Sequence, residues 1–141
     1  MAKDAPLKDI TYKVIGVAIG IHNELGPGHP EEVYQRALEV KLPGADLSYE
    51  GQRPVQILLD ETRLALYYLD FLVEERVIVE IKARSERMGR KDQWQVMKYF
   101  AATGYPVALW INFGPGRLEY HRLFPPRTIT NHRKMKRLGD K

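Results

Sequence analysis

The chain has 141 residues, 44% hydrophobic and 28% charged, which suits one hydrophobic core. It has no cysteine, excluding disulfides and thiolate metal sites, and no apolar run near the ~18 residues of a membrane span. The net charge of +4 is uneven: residues 117–141 hold eight Lys/Arg and two acids, the remainder 14 basic and 16 acidic residues. A basic tail on a near-neutral body suits an acidic partner, nucleic acid above all, or serves only solubility. Met1 to Pro6 has neither the apolar stretch nor the cleavage site of a signal peptide, and a cytoplasmic location is expected.

Val14, Val17, Ala18, Ile21 and Leu25 recur at helical spacing, so residues 7–24 are expected to form a helix, stopped by Gly26-Pro27-Gly28. Pro30 suits a first helical turn, and Glu31 and Glu32 follow where the helix dipole favours acids. Val33, Tyr34, Ala37, Leu38 and Val40 to Leu42 carry this second helix to Pro43-Gly44. Residues 55–59 and 64–73 read as a hairpin turned by Asp60-Glu61-Thr62. Glu74-Glu75-Arg76 is a short polar loop before a strand over 77–83. A charged loop over 84–91 leads to Asp92, expected to cap a helix that runs to Thr103 and is closed by Gly104. Strands over 106–113 and 118–123 flank Gly114-Pro115-Gly116. Pro125-Pro126 marks a boundary, giving one domain over 1–124 and a basic, mobile tail over 125–141. This order predicts a mixed α/β domain with helices packed on a central sheet.

The segment from Leu69 to Lys82 carries the chemistry. With Glu74-Glu75-Arg76 as a three-residue hairpin loop, Val73 faces Val77 and Asp70 faces Glu80. Strand side chains alternate, so Asp70, Glu80 and Lys82 share one side, while Phe71, Val73, Val77, Val79 and Ile81 form a wholly apolar other side. Two opposed carboxylates repel. A hard cation such as Mg²⁺ relieves that repulsion, takes carboxylate oxygens and engages phosphate. Lys82 is placed to orient or deprotonate an attacking water and to neutralise a scissile phosphate. The same pattern also describes an exposed strand face with an ordinary Glu80–Lys82 ion pair.

Gly28-His29-Pro30-Glu31-Glu32-Val33-Tyr34 fits the signature of the GxxExxY proteins. Asp70 with Glu80-Ile81-Lys82 resembles the PD-(D/E)XK nuclease core. Gln95-Val96-Met97-Lys98-Tyr99 resembles the QxxxY helix motif of RecB-like nucleases, and Ile111-Asn112-Phe113-Gly114 the strand and turn near the end of GxxExxY proteins. The resemblance spans roughly residues 12–124. It implies a restriction-endonuclease-like core, a central mixed β-sheet flanked by helices, and a Mg²⁺- or Mn²⁺-dependent nuclease acting on DNA. It also implies Asp70, Glu80 and the backbone carbonyl of Ile81 as metal ligands, Glu31 as the helix carboxylate completing the site, and Lys82 as the catalytic lysine. Gln95 and Tyr99, one helical turn apart, would lie beside the site and hold Lys82 or the DNA backbone. The sequence departs from the pattern at His29-Pro30, at Tyr68-Leu69 and at Asp92, where a histidine is expected.

Other readings stand beside these. Glu31 alone reads as a first-turn helix acid, Tyr34 as packing, and Gln95 and Tyr99 as an ordinary helix face. His22, His29, His121 and His132 have no ligand-like spacing. Trp94 reads as a half-buried helix residue or as a base-stacking one. The alternative to a nuclease is a non-cleaving nucleic-acid-binding module on the same fold. A homodimer fits either reading.

Overall fold

The computed structural model describes residues 6–128. The elements are α1 (Leu7–Leu25), α2 (Glu31–Gly44), β1 (Tyr49–Leu59), β2 (Thr62–Val73), β3 (Val77–Lys82), α3 (Arg90–Thr103), β4 (Val107–Asn112) and β5 (Glu119–Leu123). They follow the expected order, with three instructive differences. Strand β1 begins at Tyr49 and runs through Gly51 and Pro54, residues that ordinarily oppose a strand; it is an edge strand, where a missing N–H at proline is tolerated. Helix α2 continues through Pro43 to Gly44. Helix α3 starts two residues before Asp92, so Asp92 is not its N-cap: Gly89 holds that place, and Asp92 accepts the Gly89 N–H at 2.8 Å.

The five strands form one mixed sheet in the order β1-β2-β3-β4-β5. All neighbours are antiparallel except β3 and β4, whose parallel pairing is joined by the α3 crossover, as parallel strands require. The β1–β2 hairpin turns through Asp60 and Glu61, at φ 49° and 68°, the positive pair of a two-residue type I′ turn. The β2–β3 hairpin has the expected three-residue loop, with Val73 opposite Val77 and Phe71 opposite Val79. Glu74 fastens it: its carboxylate accepts the Ser48 N–H and hydroxyl, both at 2.7 Å.

Two apolar layers cover the sheet. On one face α1 and α2 pack Val14, Ala18, Tyr34 and Leu38 against Phe71, Val73, Val77, Val79, Ile81, Leu109 and Ile111. On the other, Val96, Tyr99 and Phe100 of α3 meet Leu69, Ile78, Ala108 and Trp110. In β3 and β4 the two sets alternate as a pleated strand dictates. In β2 they do not: Leu69 belongs to the α3 layer while Phe71 belongs to the α1–α2 layer. The ribbon therefore turns over between them, at Asp70. The β1–β2 ladder skips the same point, bridging Gly51 to Phe71 and Arg53 to Leu69 but not Gln52 to Asp70, and Gln52 there takes a left-handed φ of 51°.

Among the described residues no helix is long and apolar enough to cross a membrane. The basic tail expected from residue 125 lies outside the described residues from Ile129 onward.

Candidate active site

Asp70 sits where the β2–β3 ladder stops and the β1–β2 ladder skips a pair. The regular β2–β3 backbone pairing ends at Phe71–Val79, and side chains take over from the backbone. The Asp70 N–H donates to Glu80 Oε1 at 3.0 Å, and the Ile81 N–H donates to Asp70 Oδ2 at 2.8 Å. The Asp70 carbonyl accepts Gln35 Nε2 from α2 at 3.3 Å, and the Gln52 side chain favours the charged form of the Asp70 carboxylate. The two acids thus cross over, each satisfying a backbone amide of the other's strand. The expected facing of Asp70 and Glu80 is reached through these contacts rather than through a regular backbone pair.

Glu80 is 3% exposed. Burial, and then the charge of Asp70, push its carboxyl up to about 8 against the pull of the Asp70 N–H and Lys82. Asp70 is also raised, by burial, against the Ile81 N–H and Lys82. Lys82 ends β3 on the same side as Glu80 and is half-buried. Glu31, exposed at the start of α2, is raised by burial of its carboxyl and by Asp70, with Lys82 opposing. It therefore shares the field of the acid pair.

Gln95 and Tyr99 are one turn apart on α3, and Gln95 Nε2 donates to the Tyr99 hydroxyl at 3.1 Å. The Tyr99 hydroxyl is pushed up to about 12, first by burial and then by Glu80. These two residues therefore close the α3 side of the site. Tyr34, at the end of the glycine-led signature, is fully buried and stacks on Phe113 with ring centroids 4.4 Å apart. Its hydroxyl donates to the Gly26 carbonyl at 2.6 Å and accepts the His29 N–H at 3.3 Å. It is an anchor that fixes the loop ahead of Glu31.

The oxygens available suit a hard divalent cation. Asp70 and Glu80 each carry an acid that burial alone disfavours, and each commits one oxygen to a backbone amide. In a strand the N–H and C=O of one residue point to the same edge. The Ile81 N–H points at Asp70 and the Lys82 carbonyl, one residue on, accepts the Phe113 N–H at 2.8 Å. The Ile81 carbonyl is therefore turned toward Asp70. Two carboxylates and one carbonyl can hold a cation that keeps several waters. Among the described residues no group of three or more His, Asp or Glu is arranged to hold a metal, so this smaller oxygen set is what the fold offers.

Sequence reasoning missed Gln35 and Gln52. Gln35 lies one turn after Glu31, so helical periodicity could have placed it. Gln52 gave no signal, because it contacts Asp70 through a backbone break that local propensity does not encode. Nor was the clamp around Asn112 evident. Its side chain accepts the Arg84 and Gly114 N–H groups at 3.1 and 3.0 Å and donates to the Glu86 carbonyl and Glu119. This fixes the exit of β3 beside Lys82. Gly114 packs so closely there that an added Cβ would overlap the Arg84 backbone. Asp92, where the resemblance expects histidine, pairs with Arg84. Burial works to raise its carboxyl, but Arg84 and the Gly89 N–H outweigh it and hold it low.

A solved protein, SSO0001, is similar in fold, with a TM-score of 0.52 at 16% identity over 74% of this chain. The chain spans 57% of that protein's length. No curated protein matches. The family model for the PD-(D/E)XK nuclease superfamily matches residues 8–123. Mixed five-stranded sheet, flanking helices and family match agree on a restriction-endonuclease-like fold, and the chain belongs to the PD-(D/E)XK nuclease superfamily.

Proposed function

We propose that this protein is a Mg²⁺- or Mn²⁺-dependent nuclease that hydrolyses phosphodiester bonds of DNA. The observation that carries the reading is the crossed Asp70–Glu80 pair at the end of the β2–β3 ladder, with Lys82 two residues along the same strand. A purely structural sheet gains nothing from replacing backbone pairs with one buried and one half-buried acid whose ionisation burial opposes.

In this reading Asp70, Glu80 and the Ile81 carbonyl hold the cation, and Glu31 adds negative charge from α2. A bound divalent cation supplies polarisation of the phosphate and a water of lowered pKa. Lys82 orients that water and offsets the charge that grows on the phosphate oxygens. Gln95 and Tyr99 hold the α3 side, the hydroxyl of Tyr99 staying protonated and able to donate to a phosphate oxygen. Residues 28–34 support placement among the GxxExxY proteins, and Gln95 with Tyr99 supports the RecB-like subtype. Residues 1–124 are read as one nuclease domain and 125–141 as a basic tail that meets phosphate.

The test is cleavage of linear and circular DNA by purified protein with Mg²⁺ or Mn²⁺, stopped by chelation. Lys82→Ala should abolish cutting while leaving the melting temperature within about 2 °C, as expected for a half-exposed side chain. Cutting by Lys82→Ala at the parental rate would overturn the assignment of Lys82. A second reading, a module that binds nucleic acid without cutting, is favoured by the burial and the Asp70 charge that oppose ionisation of the Glu80 carboxyl. Binding without cleavage under either metal decides for it.

A further inference from the structure

Trp94 is 67% exposed, more open than the half-buried helix position the sequence suggests. It lies on the side of α3 away from the buried Val96, Tyr99 and Phe100. Positions 90, 91, 94 and 98 fall on one helical face, which puts Arg90 and Lys91 beside the indole and Lys98 one turn on, its ammonium lying 3.7 Å from the centre of the Tyr67 ring. Two open hollows flank it. One, of about 510 Å³, runs between Lys91, Trp94, Lys98 and Gln95. The other, of about 360 Å³, lies between Arg90, Trp94 and Met97. Asp92 also borders the first hollow, but its charge is met by Arg84, so the remaining charged lining is positive. The first hollow reaches Gln95, whose amide bonds the Tyr99 hydroxyl, and Tyr99 feels Glu80 and Asp70. The hollow beside the exposed indole therefore reaches the α3 residue that bonds Tyr99 at the flank of the candidate active site.

We propose that Trp94 is a stacking platform for an unpaired nucleotide, with Arg90, Lys91 and Lys98 meeting the flanking phosphates. This deepens the nuclease reading above, on which it rests, by naming the substrate as single-stranded nucleic acid or a duplex with a single-stranded arm. The physical reason is access. A duplex hides its base faces within the stack, whereas a single strand presents them, and an aromatic ring among cations is the combination that tracks such a strand. An apolar protein partner would gain nothing from the cationic side chains on this helix face.

The chain has two tryptophans, and Trp110 is fully buried, so a change in fluorescence on adding nucleic acid reports Trp94. The full chain is titrated with oligothymidylate of about 12 nucleotides, within the site sizes of such grooves, and with a blunt duplex of equal length. EDTA is present throughout, so no cleavage is needed. Quenching by the single strand and not by the duplex is expected. By fluorescence anisotropy of a labelled strand, Trp94→Ala should weaken binding roughly 5- to 150-fold, with Trp94→Tyr recovering most of it. Equal quenching by both ligands, or unchanged affinity in Trp94→Ala, overturns the proposal. So does a fall in solution mass in Trp94→Ala with unchanged affinity, which would put a second copy of the chain on this face. A protein that is quenched but never cuts keeps this inference and loses the cleavage reading. One that cuts while Trp94→Ala binds normally does the reverse.

Discussion

Substituting Glu80 with glutamine separates the charge of the buried acid from its shape. Without a cation, burial and then Asp70 lift Glu80 from 4.5 to about 8. Between those values the folded protein holds a proton that the unfolded chain has released. Stability follows the difference in bound protons, so an acid raised by folding makes stability fall as pH rises from about 5 to about 8, then level off. One proton limits the slope to about 1.4 kcal/mol per pH unit. From about pH 5.5 to 7.5 the parent should therefore lose up to roughly 3 kcal/mol relative to Glu80→Gln. Glutamine keeps an oxygen for the Asp70 N–H, accepted at 3.0 Å in the parent, so the comparison reports ionisation and not a missing hydrogen bond. Urea denaturation followed by circular dichroism in EDTA, at both pH values, gives the two stabilities. Parallel pH profiles for parent and variant would refute the reasoning.

Gly114→Ala should lower stability by about 3 kcal/mol, because its Cβ would overlap the Arg84 backbone rather than a flexible side chain; a thermal melt within about 1 °C of the parent would show that the loop yields freely. Residues 125–141 carry six Lys/Arg against Asp140 alone, so truncation after Phe124 should weaken DNA binding alike on unrelated sequences. The slope of log K against log salt should change by about 0.9 for each duplex phosphate that the shortened chain no longer neutralises, and an unchanged slope in a binding titration argues for a tail that does not touch DNA.

Much of this site can be read from strand arithmetic. The three-residue loop puts Val73 opposite Val77, and alternation then sorts Phe71, Val79 and Ile81 from Glu80 and Lys82, as the packing bears out. Helix lengths follow periodicity and the glycine stops. What local pattern does not carry is the inversion at Asp70. Alternation assumes one continuous pleat, and it gives no warning that Gln52 takes a left-handed backbone or that Leu69 changes face. The start of β1 is hidden for a related reason. Pro54 opposes a strand everywhere except at an edge, and edge position is a property of the whole sheet. Exposure of Trp94 is equally beyond reach, because the rotation of α3 is set by Val96, Tyr99 and Phe100 locking onto Leu69, Ile78 and Trp110.

The turnover of β2 has a consequence for how damage spreads. Leu69 is cemented into one hydrophobic layer and Phe71 into the other, and Asp70 is the single residue spanning the seam. Its aim is therefore a comparison between two separately packed layers, like the reading of a gauge fixed at both ends. Thinning either layer, at Leu38 of α2 or at Val96 of α3, should shift one end against the other and turn the carboxylate, although neither residue approaches the acids in sequence. Chemistry placed on such a seam fails sooner than the fold does, because close-packed interiors transmit small displacements, whereas a carboxylate misplaced by about 1 Å can cost 100-fold in rate.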